Sequence, residues 1–220
     1  RREFALPLLE AEWSFLPRLA PQLPMPIPIP KWKGTPSSRF PWSFIGYRML
    51  PGFTACYAKL SEAERASLVE PIARFLKILH SIPVSEMADC VISNDNAARI
   101  NGTILTQKIN TNFEELALLN LLPNIKTLQK VIRDSQQFRE PVSTTIVHGD
   151  FYVRHLLLDE KHEIVGVIDW GDVHPGDPAI DLSIAHSFLP PGTHQQFKEI
   201  YGTISDETWC LAKLRAIFSS

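Results

Sequence analysis

The stretch from Thr144 to Asp181, TTIVHGDFYVRHLLLDEKHEIVGVIDWGDVHPGDPAID, holds three strand-sized apolar runs, and each is bordered by a side chain that can do chemistry. Asp150 lies in the loop that begins His148-Gly149, after the β-branched run Thr144 to Val147. His155 opens the run Leu156 to Leu158, and Asp169 closes Ile164 to Ile168. The polar segment Asp159 to Glu163 reads as a hairpin turn centred near residue 162, a register that sets His155 opposite Asp169. Cross-strand partners sit about 4.5 to 5.5 Å apart, so an imidazole and a carboxylate should meet there, with Asp150 one loop away. A lone Asp or His at a strand end is usually a turn former. Gathering two carboxylates and an imidazole costs free energy unless a metal or a substrate compensates. The chemistry open to such a set is proton abstraction by one carboxylate and metal holding by the other two groups, for group transfer or for metal-dependent hydrolysis built on His148, Asp150, His155 and Asp169.

The elements that must position these residues are legible in the pattern. Apolar residues at helical spacing (Phe4, Leu8, Leu9, Trp13, Leu16, Leu19) predict a helix over Glu3 to Leu19. Proline at every second position from Pro24 to Pro30 forbids helix and predicts an extended connector. Pro41 to Leu50 reads as a strand closed by the Pro51-Gly52 turn, where a boundary divides residues 1–51 from residues 52–220. Ser61 with Glu64 is a capping box, and Leu68, Ile72, Phe75, Leu76 and Leu79 carry the following helix to His80. Residues 84 to 145 hold helical patterns at Phe113 to Leu122 and Ile125 to Ile132. Further helices are expected over Ile180 to Phe188 and Trp209 to Phe218.

Composition excludes several classes. The chain has 220 residues, 45% hydrophobic and 21% charged, within the range of globular proteins rather than disordered ones. Its 22 basic and 24 acidic residues leave a net charge of −2, against nucleic-acid binding through overall charge. No apolar run reaches the roughly 18 to 20 residues of a membrane span. Three scattered cysteines, Cys56, Cys90 and Cys210, make neither a disulfide framework nor a zinc site and suit a reducing cytoplasm.

His148-Gly149-Asp150-x-x-x-x-His155 followed by Ile168-Asp169-Trp170-Gly171 resembles the catalytic and metal loops of the aminoglycoside/macrolide phosphotransferase family, small-molecule kinases with a protein-kinase-like fold. The resemblance implies an α+β, two-lobed fold. Residues 1–51 would form a partial N-terminal lobe, and residues 52–220 a mostly helical C-terminal lobe carrying a small catalytic β-hairpin. It implies Asp150 as the base that takes the acceptor hydroxyl proton, and His155 and Asp169 as Mg²⁺ ligands on the phosphates of ATP or GTP. Most of the family has Asn at the position of His155, and histidine there is similar to the macrolide kinases. Imidazole is a less usual ligand for hard Mg²⁺ than an amide oxygen. Asp177-Pro-Ala-Ile-Asp181 matches a family signature in which the second Asp braces the catalytic loop, and His148 would orient that loop.

Further back, Glu10-Ala-Glu12 with Trp13 to Leu19 looks like the family's helix C, with Glu12 as partner of a phosphate-binding lysine. Tyr47-Arg48-Met49-Leu50-Pro51-Gly52 resembles the hinge that binds the nucleotide base through its backbone, and Tyr47 flanks it with bulk that in such kinases disfavours ATP against GTP. FLKILHSIP, from Phe75 to Pro83, matches the helix that follows. None of the ten glycines forms a GxG loop, and no lysine precedes Glu12. The expectation is therefore a kinase whose first strands lie upstream of Arg1, with a degenerate, non-transferring kinase as the alternative. Gly171 to Gly176 has P-loop-like spacing, but Asp177 stands where that loop needs Lys. Residues 84 to 145 carry seven acids and six bases, a near balance that favours a neutral or singly charged acceptor over a polycationic one. Arg154 is either a phosphate-neutralising or a surface charge. The resemblance leaves antibiotic resistance and ordinary metabolism both open.

Overall fold

The computed structural model describes residues 6–90, 102–118, 129–133 and 145–219. Helix α1 (Leu6–Leu19) buries Ala11, Phe15, Leu16 and Leu19 on one face. The expected connector follows it, with Met25 and Ile27 turned into the core and the Pro26 carbonyl accepting a hydrogen bond from the Val167 amide at 3.0 Å. The alternation of proline with apolar residues thus lays an extended chain along the hairpin below. Strands β1 (Pro30–Gly34) and β2 (Phe44–Tyr47) pair antiparallel. β1 carries no strand pattern in PKWKG and was not expected from the sequence, while β2 is shorter than the run Pro41 to Leu50.

The capping box at Ser61 is formed in both directions. The helix it opens does not run to His80 unbroken: α2 (Glu62–Ser67) stops at Leu68 and α3 (Val69–Ser81) begins anew. Pro71 is the cause, since it offers no N–H and its ring conflicts with the carbonyl four residues before it, that of Ser67. α3 buries Val69, Ile72, Ala73, Phe75, Leu76 and Leu79. Helix α4 spans Gly102–Leu118. Of the two helices expected in the middle of the chain, residues 119–122 of the first and 125–128 of the second lie outside the described residues, and residues 129–133 are helical.

β4 (Thr145–Val147) pairs antiparallel with β7 (His174–Gly176). β5 (Leu156–Leu158) lies between β3 (Phe53–Thr54) and β6 (Ile164–Val167), antiparallel to both. The register of the hairpin corrects the expectation. Leu156 faces Val167, and the Ile168 amide donates to the His155 carbonyl at 2.9 Å, so His155 opposes Ile168 and not Asp169. An irregularity between Leu157 and Leu158 inserts one residue in β6 and shifts the pairing. The predicted helix Ile180 to Phe188 is two short ones, α5 (Ala179–Leu182) and α6 (Ile184–Ser187), broken at Ser183, whose hydroxyl donates to the Ile180 carbonyl at 2.7 Å. α7 (His194–Tyr201) and α8 (Asp206–Ser219) complete the helical part. Among the described residues no helix is long and apolar enough to cross a membrane.

Candidate active site

The loop after β4 is tied down by one buried carboxylate. Asp181, fully buried on α5, accepts the His148 amide at 2.7 Å and the Gly149 amide at 3.0 Å, and meets His80 Nε2 of α3 at 3.1 Å. Burial alone would raise the Asp181 pKa, but the hydrogen bond from His80, the neighbouring histidines and the loop amide outweigh it and hold the carboxyl below its ordinary value. Gly149 has φ of +86°, and a Cβ there would collide with the Asp172 carbonyl oxygen. His148 is buried between Phe151, His155 and Trp170. Its Nδ1 accepts the Asp150 amide at 3.3 Å, so Nε2 carries the proton and donates it to the Ile168 carbonyl at 3.0 Å. Burial depresses its pKa and keeps this ring neutral. Phe151 and Trp170, both buried, pack with Phe75 beneath the loop.

Above this support the chemical groups converge. His155 Nδ1 donates to the Asp150 backbone carbonyl at 2.8 Å, and Nε2 lies 3.1 Å from Asp169 Oδ2. The expected meeting of His155 and Asp169 thus occurs, although through the residue after the register pair. Asp169 reaches it by adopting a left-handed backbone, φ +66°, which no sequence signal disclosed. Burial pulls the His155 pKa down, but the hydrogen bonds to Asp169 and to the Asp150 carbonyl, with both negative charges, pull harder and leave it above its ordinary value. The Asp150 carboxylate, 35% exposed, points Oδ2 to within 3.9 Å of His155 Nδ1 and Oδ1 to within 3.9 Å of Arg215 Nη2. Arg215 comes from α8 and was not singled out in the sequence, where it stands in an ordinary helical run. It lines a cavity of about 210 Å³ with Asp150, Phe151, Tyr152, Ile180 and Ser183. Arg154 is exposed.

The upstream candidates divide. Glu12 of α1 is largely buried, its Oε1 close to Gly171, and burial with the charges of Asp169 and Asp172 raises its pKa to about 7. Tyr47, at the end of β2, is raised by burial and by the charges of Glu12 and Asp169, so it faces the same acidic region. Arg48 and Met49 are exposed, Met49 at 91%, and Leu50 packs over Gly166. Lys33 pairs with Glu10 at 2.5 Å, not with Glu12.

Magnesium can be tested against this geometry. Among the described residues no three His, Cys, Asp or Glu side chains gather as a ready-made metal cluster. Two donors do fit. His155 is oriented by giving Nδ1–H to a carbonyl, as ligating imidazoles are. The 3.1 Å from its Nε2 to Asp169 Oδ2 matches the spacing of about 3 Å between adjacent ligands of octahedral Mg²⁺. Mg²⁺ bound through one or two protein groups takes its other ligands from phosphate and water, and Asp169 and Asp172, whose charges add to burial in raising Glu12, mark a region receptive to a cation.

The profile of the phosphotransferase enzyme family matches residues 1–216. The aminoglycoside 3'-phosphotransferase of Streptomyces ribosidificus is 29% identical over 164 residues, 70% of this chain and 59% of that protein. That of Escherichia coli is 28% identical over 160 residues, 70% of this chain and 56% of its own. The chain therefore spans less than two thirds of the length of these curated relatives. Among solved structures, the GDP complex of wild-type aminoglycoside 2'-phosphotransferase-IIIa aligns with a TM-score of 0.72 at 20% identity, over 100% of this chain and 74% of that one. The macrolide 2'-phosphotransferase of Brachybacterium faecium aligns with a TM-score of 0.64 at 20% identity, over 99% and 71%. At these identities the likeness is one of fold, an α+β, protein-kinase-like architecture.

Proposed function

The chain belongs to the phosphotransferase enzyme family, and from that premise we propose that it moves the terminal phosphate of ATP or GTP to a hydroxyl of a small molecule. The acceptor hydroxyl donates a hydrogen bond to the Asp150 carboxylate. As its oxygen bonds to the terminal phosphorus, the proton passes to Asp150 and the nucleoside diphosphate leaves with the electrons of the broken P–O bond. His155 Nε2 and Asp169 would hold Mg²⁺, which when bound neutralises charge on the phosphate oxygens. His148 and Asp181 keep the loop backbone in place, so the protein contributes mainly position and charge. The backbone of Tyr47, Arg48, Met49 and Leu50 takes the nucleotide base, Glu12 serves as partner to a phosphate-binding cation, and residues 1–51 and 52–220 act as parts of two lobes round the nucleotide.

The observation that carries this reading is the braced, solvent-reachable Asp150 beside two donor atoms 3.1 Å apart. The test is phosphate transfer followed by ³¹P NMR with ATP or GTP, Mg²⁺ and a set of hydroxyl acceptors. Asp150→Ala should lower turnover by at least 1,000-fold, on the scale of removing a positioned base with its charge, while nucleotide affinity stays within about twofold. Asp169→Ala should lose Mg²⁺-dependent nucleotide binding. Turnover retained in the Asp150 variant would refute the base assignment. A second reading, a binding module of the same fold, is favoured by one observation: Lys33 is committed to Glu10 and leaves the raised Glu12 carboxyl to another cation. Nucleotide binding without transfer to any acceptor would select it.

A further inference from the structure

We propose that the cavity behind α5, on the side away from Asp150, is a second ligand site that takes a small neutral polyol, and that its occupancy tightens the hold of Asp181 on the loop that bears Asp150. Two cavities share α5 as a wall. Ile180 and Ser183 line the one beside Asp150, whereas Pro178 and Leu182 line the other, of about 330 Å³. Residues two apart on a helix point in nearly opposite directions, so this short helix turns one face to each. The second cavity is bounded by His80 of α3, Thr145 of β4, Tyr201 of α7 and Thr208 of α8. Its volume falls at the lower end of the roughly 300 to 1,000 Å³ of small-molecule sites.

Its polar groups keep capacity for a ligand. A hydroxyl donates one hydrogen bond and accepts two. Thr145, buried, gives its hydrogen to the His80 carbonyl and is left to act as an acceptor. Thr208, also buried, accepts from Ser205 Oγ at 2.9 Å and retains its own hydrogen to donate. The Tyr201 hydroxyl lies 2.8 Å from His80 Nδ1, and in either direction of that bond the phenol oxygen keeps a lone pair. Burial first, then the charges of Asp181 and Asp177, raises the Tyr201 pKa well above its ordinary value, so the phenol stays uncharged. Acceptors and a donor set round an apolar wall of Pro178 and Leu182 match a ring that carries hydroxyls at its edge and C–H groups on its face. None of the described lining residues is Asp, Glu, Lys or Arg, and His80 is engaged by Asp181 and Tyr201. An ionic ligand would lose hydration there and meet no counter-charge. The link to the loop is short. Tyr201 meets His80, His80 meets Asp181 at 3.1 Å, and Asp181 accepts the His148 and Gly149 amides. A ligand that joins β4, α7 and α8 around His80 stabilises the closed arrangement by mass action.

The experiment titrates the chain by calorimetry with D-glucose, D-ribose and myo-inositol, and with gluconate and glucosamine as charged counterparts. At least one neutral polyol should bind saturably, and the charged sugars at least about tenfold more weakly. Thr208→Val, which keeps the shape and removes the donor, should weaken that polyol about 3- to 10-fold, the scale of one hydrogen bond. Thr208→Ser restores the hydroxyl and should bind within about twofold of the wild type. Asp150→Ala should bind as the wild type does. Hydrogen exchange at the His148 and Gly149 amides should slow about tenfold at ten times the dissociation constant, if opening requires release of the ligand. Binding lost in Asp150→Ala and kept in Thr208→Val would overturn the inference by placing the polyol beside Asp150. Saturable binding with unchanged exchange of both amides would overturn the link to the loop. Saturation by none of the three polyols, or gluconate bound as tightly as glucose, would overturn the site itself. Each of these outcomes leaves the phosphotransferase reading where it stands.

Discussion

At the scale of single residues, the cluster was legible because carboxylates and imidazoles that interrupt apolar strands are rare in type and placement. Asp150, His155 and Asp169 meet within one small volume. Arg215 was illegible for the opposite reason: arginine in an amphipathic helix is commonplace, and only the packing of α8 against α4, α5 and α6 brings it to Asp150. Gly149 joins these levels. Its positive φ lets two successive amides point at Asp181, and the Asp172 carbonyl fills the space a side chain would need. Gly149→Ala should therefore cost about 2 kcal/mol or more of folding stability, from left-handed strain together with the collision. Transfer activity should fall further than stability predicts, because the amides next to Asp150 are displaced. Urea denaturation beside a rate assay measures both, and wild-type kcat in a destabilised Gly149→Ala protein would show the loop geometry to be unimportant.

At the scale of elements, most expected helices and strands are present, but two helices are broken inside their spans, at Leu68 and Ser183. α4 starts eleven residues before the expected Phe113, and β1, β7 and α7 were not expected. Periodicity reports which face is buried, not where a proline such as Pro71 or a hydroxyl such as Ser183 interrupts the ladder. A one-residue irregularity at Leu157 and Leu158 depends on packing that no local pattern encodes. The junction of α6, α7 and α8 carries a testable pH dependence. His186 of α6 packs against the rings of His194 and Trp209, with centroids 4.9 Å and 4.4 Å away. Burial first, then the nearby His194 and Lys213 charges, lowers its pKa to about 3. The unfolded chain takes up a proton near pH 6.5, and the folded chain refuses it until about pH 3. The contribution of this ring is thus complete above pH 6.5 and is lost as pH falls toward 3. Between pH 7 and pH 5 the wild type should lose about 2 kcal/mol more stability than His186→Phe, which keeps the aromatic packing. Denaturant midpoints at the two pH values decide it, and parallel losses would show that His186 protonates freely in the folded state.

At the scale of the whole molecule, Asp181 links parts of the chain that are far apart in sequence: α3 through His80, the loop after β4 through two amides, and α5 that bears it. His80 in turn meets the Tyr201 hydroxyl of α7 at 2.8 Å, so one polar chain runs from the helical part to the loop that bears Asp150. Asp181→Ala should cost about 3 kcal/mol or more, since it strands a buried histidine and two amides. It should also lower activity even under conditions where the protein is fully folded. A loss of under 1 kcal/mol by calorimetry would mean that the network is incidental. The kinase-like architecture was legible in the collinear order of several motifs, whereas the acceptor class was not, because it depends on which side chains from remote helices meet above Asp150. One detail of the backbone bears on how such a protein can be improved. Asp169 stands in a conformation that suits glycine or asparagine better than aspartate, at a cost on the order of 1 kcal/mol. Selection for heat resistance alone would therefore favour those residues at position 169 and discard the carboxylate, so any effort to breed a hardier form of this protein must screen for turnover in every round.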